Sequence, residues 1–284
     1  MMPRLIYSVR MITSAIVAAR TIVVASTILC ASTVAISAPA TGNQEAALDG
    51  LEIMKKVDAR DDGETRTSET TMTLTNRHGS QRVRKLVSYS KDYPGETRTL
   101  IVFLKPNDVK GVANLNYEYD ALDKEDDTWL YLPALRKAKR IAGSSRNDYF
   151  MGTDFTYDDM GDRQPEEDTH TLLREESREG VACWVVESVP LEKNSMYSKR
   201  ISWIDKNSLV VRYVEYYDRQ GKLLKLLRTD KIEKIEGYWS VGLMEMHNVQ
   251  DKHRTLIENH QIHFNRPVED GRFRVSTLER GRIR

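Results

Sequence analysis

Asp126 to Gly161 reads DDTWLYLPALRKAKRIAGSSRNDYFMGTDFTYDDMG. It opens with a short apolar strand, Trp129-Leu130-Tyr131-Leu132, which Pro133 stops because it cannot donate to a β-ladder. A basic knot follows, made of Arg136, Lys137, Lys139 and Arg140. The remainder is rich in Gly, Ser and Asp yet carries Tyr149, Phe150, Met151, Phe155 and Tyr157. Loops run over the surface and are mostly polar. Five large apolar or aromatic side chains in a turn-rich segment therefore imply that it folds back over something apolar.

What it folds over is read from its flanks. Upstream, Asn43 is a plausible helix N-cap, with Glu45 in the first turn, where a carboxylate suits the dipole. Ala47, Gly50, Leu51, Met54 and Val57 recur at helical spacing, and Asp61-Asp62-Gly63 ends the helix. From Thr65 the period becomes two: Met72 and Leu74 oppose Thr71, Thr73 and Thr75. Arg77-His78-Gly79-Ser80 is a hairpin turn, Asp92-Tyr93-Pro94-Gly95 another, and Thr97 to Leu104 is apolar on both faces. Ala113 to Tyr119 alternates again. Downstream, Val181 to Val189, Lys199 to Asp205, Leu209 to Tyr217, Lys222 to Arg228, Tyr238 to Val249 and Arg254 to Phe264 are strands joined by short turns. About a dozen strands at hairpin spacing predict one large antiparallel sheet that curls on itself. The helix from Gly50 to Val57 and the Tyr149–Tyr157 loop are the spare apolar elements available to fill its concave face.

The first forty residues differ from the rest. They hold three arginines (Arg4, Arg10, Arg20), no acidic residue, an apolar run from Thr21 to Ile36, and Ala38-Pro39-Ala40 before Thr41. This is the order of a secretory signal peptide; an uncleaved anchor is the alternative, since Thr21 to Ala38 approaches the length of a span. Residues 1–40 are thus expected to be a cleaved leader, with Met11 a candidate start, and residues 41–284 one β-rich domain in the periplasm. Cys30 lacks the small residue that lipid attachment wants directly before it. Only Cys183 lies beyond the leader, so no internal disulfide is available to the exported chain.

Catalytic patterns are missing. No G-x-S-x-G, G-x-x-x-x-G-K-[ST] or G-x-G-x-x-G occurs, and Cys183 sits in a β-branched strand where a thiol is inert, so an enzyme is not expected and no cofactor is implied. Asp148, Asp154, Asp158, Asp159 and Asp162 lack the order of a calcium loop and read as solvated carboxylates facing the basic knot, with calcium as the alternative. His260 and His263, three apart on a strand, belong on opposite faces, which disfavours zinc. Nearly balanced charge, 43 basic against 42 acidic residues, argues against nucleic acid as a partner.

The opening stretch also resembles the signature of the periplasmic outer-membrane lipoprotein-sorting proteins, the LolA-like family, in an uncharacterised branch. The shared residues are Trp129, Tyr131 to Leu135, Arg136, Lys137, Arg140, Ile141, Ser144 to Arg146, Asp148, and the unbroken run from Phe150 to Asp159. The resemblance extends more loosely from Leu51 to Leu278. It implies a mainly β fold, a curled sheet forming an incomplete barrel, lidded by the N-terminal helix and the aromatic loop over a hydrophobic cavity. It also implies a carrier that shelters acyl chains of a lipid or lipoprotein, with an inner-membrane donor, such as an RND-type transporter, and an outer-membrane acceptor as partners. On that reading Trp129, Tyr131, Phe150, Met151, Phe155 and Tyr157 border the lipid site. Arg136, Lys137, Lys139 and Arg140 then form a rim for acidic surfaces or lipid phosphates. An accessory of an RND-type export pump, without cargo, is the alternative.

Overall fold

The computed structural model describes residues 49–281. The leader, its Ala38-Pro39-Ala40 site, Cys30 and the Asn43 cap lie outside the described residues. Helix α1 spans Gly50–Asp58 and is capped by Asp49, whose carboxylate accepts from the Glu52 N–H at 2.8 Å. Asp49 itself is extended, so the helix begins later than its apolar periodicity suggested.

Thirteen strands follow: β1 (Thr65–Thr75), β2 (Gln81–Tyr93), β3 (Glu96–Lys105), β4 (Ala113–Tyr119), β5 (Asp127–Leu132), β6 (Lys137–Ile141), β7 (Asp168–Arg178), β8 (Val181–Pro190), β9 (Tyr197–Asp205), β10 (Val211–Asp218), β11 (Leu223–Ile235), β12 (Tyr238–Asn248) and β13 (His253–Phe264). All pair antiparallel in one sheet, in the order 6-5-4-3-2-1-13-12-11-10-9-8-7. Each neighbour is a sequence neighbour except β1 with β13, which joins the two meanders. So many twisted strands must curl, but this sheet is not closed: β6 and β7 are both edges. The aromatic loop, residues 142–167, is the connection between those two edges.

Both edge strands escaped the sequence reading. The sequence shows Lys137–Ile141 as part of a charged knot and gives Asp168–Arg178 no strand pattern. Charge on an edge strand discourages pairing with other chains and also erases the apolar alternation that marks a strand. Strand β11 likewise continues past Arg228 to Ile235, through a left-handed residue at Lys231.

The concave face carries Met72, Leu86, Ile101, Phe103, Leu130, Val214, Leu227, Met246 and Ile257, drawn from both meanders into one cluster with Phe150, Phe155 and Tyr157 of the loop. Helix α1 covers the β7–β9 part: Ile53 packs on Val186 and Ile204. The convex face of β3–β5 is apolar too. It is covered by a C-terminal segment, Val268 to Leu278, that ends in α2 (Val275–Glu279). Phe273 and Leu278 are fully buried there against Leu100, Leu115 and Tyr131.

A left-handed residue at Gln261 shifts the register of β13, so His260 and His263 face Glu69 and Thr67. The bulge therefore puts both histidines on the same face, not on opposite ones. Among the described residues no group of three or more His, Cys, Asp or Glu is arranged to hold a metal.

Candidate functional site

The loop crosses the concavity because its aromatic residues have a core to join. Phe150 stacks on Phe103 at 5.9 Å between centroids and meets Tyr157 edge-on at 5.4 Å. A tight reversal brings these rings together. The Phe150 N–H donates to the Phe155 carbonyl at 2.7 Å, and the Tyr157 N–H to the Asp148 carbonyl at 3.1 Å. Met151 and Gly152 turn the chain with positive φ, 49° and 72°. The Met151 carbonyl then accepts from Arg84 at 2.6 Å, and Arg84 lies over the Phe103 ring.

Two carboxylates of the same loop bind it to the opposite wall. Asp154 accepts from the Thr255 hydroxyl at 2.7 Å and stands 2.8 Å from His253 Nδ1, while its own N–H donates to Thr255 Oγ1. Asp159 accepts from the Tyr197 hydroxyl at 2.7 Å and sits 3.2 Å from Lys225 Nζ. Lys225 is wholly buried, with the Tyr149 ring 4.7 Å from its ammonium. Burial pushes the Lys225 pKa down, and the Asp159 charge opposes that shift. Burial first, then Asp159, raises the Tyr197 hydroxyl well above its ordinary range. Asp154 and Asp159 are therefore structural anchors, not solvated carboxylates facing the basic knot. The T-D-F-T-Y-D-D run is the pattern such a plug needs: rings for the core, acids for the wall.

The six residues expected to border a lipid site do not converge. Phe150, Phe155 and Tyr157 are buried in the concavity, and Met151 packs against them. Trp129 and Tyr131 point the other way, into the convex cluster under the C-terminal segment, because alternation puts Leu130 and Leu132 inward. The basic residues divide as well. Lys137 and Lys139 pair opposite Leu132 and Leu130, Arg140 opposite Trp129, and Arg140 forms an ion pair with Asp127. Arg136 lies in the β5–β6 turn with φ 47°.

The cavity implied by the family resemblance is occupied here by the loop itself. Among the described residues, two neighbouring polar spaces open beside it. One, of about 480 Å³, is lined by Asp58, Asp62, Arg66, Asp92, Glu118 and Asp162 among others. A neighbouring space of about 310 Å³ shares Asp58, Glu118 and Asp162. Burial, then the charge of Asp162, pushes Glu118 up to about 7. Burial, then Asp58 and Asp62, pushes Asp162 up to about 6.

An open antiparallel sheet curled around its own aromatic connection defines a LolA-like shell. A family model described as an uncharacterized protein matches residues 95–280. The chain is 33% identical to a crystal structure from Vibrio parahaemolyticus described as an outer membrane lipoprotein-sorting protein domain. That alignment covers 81% of this chain and 98% of the other, with a TM-score of 0.76. A DUF1329 family protein from Desulfovibrio piger is 30% identical over 81% of this chain and 97% of its own, with a TM-score of 0.77. The chain therefore belongs to the DUF1329 family. A LolA superfamily protein from Nitrosomonas europaea shares the fold at 18% identity, over 80% of this chain and 98% of the other, with a TM-score of 0.63. None of the curated proteins matches.

Proposed function

We propose that the chain is a periplasmic carrier, exported by cleavage after Ala40, that shelters acyl chains of a lipid or lipoprotein between an inner-membrane donor and an outer-membrane acceptor. The observation that carries this reading is the open sheet whose apolar concavity is filled by a connection between its two free edges. In a closed barrel that filling would be permanent. Here the Tyr149–Tyr157 loop can leave through the gap between β6 and β7, and an acyl chain takes the place of Phe150, Phe155 and Tyr157. Each methylene buried gains about 0.8 kcal/mol, so about ten match the burial lost by three aromatic rings, and a longer chain is needed to offset the Asp154 and Asp159 contacts that leave with the loop. Glycines at 143 and 152, both with positive φ, are the hinges of this exchange. On this reading the protein is not an enzyme, and it works without a cofactor.

A second reading, an accessory of an RND-type pump that carries no cargo, is favoured by the same loop, since a filled concavity has no room to spare. Native mass spectrometry of the purified protein separates the two. Co-purifying lipid supports the carrier. An empty protein that captures a transporter supports the accessory and contradicts the carrier.

A further inference from the structure

We propose that the end of the sheet formed by β2, the β3–β4 loop and the β5–β6 turn is a docking surface for an anionic lipid bilayer. Val83, Leu104 and Leu135 stand 50%, 42% and 69% exposed there. Val83 and Leu104 share a shallow groove of about 410 Å³ with Lys85, Lys105 and Lys110. The Gly111–Pro133 approach joins this groove to the turn carrying Leu135 and Arg136, since a Cβ on Gly111 would lie 3.2 Å from the Pro133 ring.

The charges of this surface are uncompensated. Lys85 lies directly across the ladder from Lys105, an arrangement that costs stability unless an anion lies between them. The ion pairs of this half engage Lys91, Arg98, Arg140 and Arg146 and pass over Lys85, Lys105, Lys110 and Arg136 among the described residues. Asp108 is the one carboxylate on the β3–β4 loop. Single apolar tips set among unpaired cations suit the interface of a bilayer, where the tips enter the acyl boundary and the cations meet phosphates. The surface lies beside edge strand β6, one lip of the gap through which the aromatic loop would leave. Its purpose therefore rests on the carrier reading, but its binding to lipid does not.

Flotation with vesicles tests it. The purified protein is expected to float with vesicles containing phosphatidylglycerol, not with pure phosphatidylcholine, and to be released by 0.5 M salt as about a Debye length of 4 Å screens the contact. Lys85→Glu/Lys105→Glu/Lys110→Glu and, separately, Val83→Ser/Leu104→Ser should each weaken flotation at least tenfold with unchanged far-UV circular dichroism. Leu135→Ser/Arg136→Gln, outside the ladder, provides the same reading if the first variant fails to fold. Wild-type protein that ignores anionic vesicles, or variants that float as well as wild type, would overturn the proposal, as would binding seen only to an acidic protein. Flotation without uptake of an acyl probe would sink the carrier reading and leave this surface standing.

Discussion

The Asp159 carboxylate, carried on the connection between the two open sheet edges, lies 3.2 Å from the ammonium of Lys225 on β11, and both side chains are buried. A loop of this length would ordinarily fray at the surface. This one is tied through an ion pair in low dielectric, with Tyr197 and Tyr149 completing the shell around Lys225. Buried pairs add little net stability, but removing one partner strands a charge.

That asymmetry gives a first prediction. Asp159→Asn leaves the Lys225 ammonium without a counter-charge and should cost about 3–5 kcal/mol in urea unfolding, as should Lys225→Met alone. Combining Lys225→Met with Asp159→Leu should recover most of the loss. A double variant as unstable as either single would mean that the pair stabilises the fold outright, and losses that simply add would mean that the two side chains act independently.

The seat of α1 gives the second. A Cβ on Gly50 would lie 2.7 Å from the backbone of His170 and Thr171, so the helix meets β7 without room for a methyl group. Alanine favours a helix over glycine by about 1 kcal/mol, but the clash is with backbone that cannot step aside. Gly50→Ala is expected to destabilise by about 1–3 kcal/mol in spite of its better propensity. A rise in melting temperature would contradict the packing described.

Much of this was legible in the sequence, and what was not has definite physical causes. The central strands declared themselves because one face is buried and their residues alternate: Met72 and Leu74 inward, Thr71 and Thr73 outward. The aromatic loop was recognisable as a filler because Phe150 and Phe155 are out of place in a turn-rich run. Alternation could not tell which sheet face is concave. Trp129 and Tyr131 were therefore grouped with Phe150, although they lie under the C-terminal segment, whose Phe273 and Leu278 gave no regular period. The roles of Asp154 and Asp159 were hidden because their partners, Thr255, Tyr197 and Lys225, are far away in sequence. A lysine in an apolar strand, at 225 between Leu224 and Leu226, was the available signal.

The acidic space beside the loop gives the third prediction. Burial holds the Glu118 carboxyl up to about 7 against an ordinary 4.5. A carboxyl raised on folding keeps its proton in the folded chain while the unfolded chain ionises. The penalty is therefore absent at low pH, grows above pH 4.5, and is complete above about 7. Glu118→Gln should leave stability unchanged at pH 4 and raise it by about 3 kcal/mol at pH 8. An equal effect at both values would show that Glu118 ionises normally in the folded protein.

The central claim is that an acyl chain and the aromatic loop compete for one concavity. The most direct measurement is uptake of a fluorescent fatty acid or lipopeptide by a variant whose loop can be locked. Asp154 and Thr255 are in contact, with the Thr255 hydroxyl 2.7 Å from the carboxylate, and Cys183 is buried away from them. In Asp154→Cys/Thr255→Cys a disulfide would hold the loop in place. The account predicts that wild-type protein binds the probe, that the oxidised variant does not, and that reduction restores binding. Wild-type protein that takes up no probe, or an oxidised variant that binds as tightly as the reduced one, would contradict it.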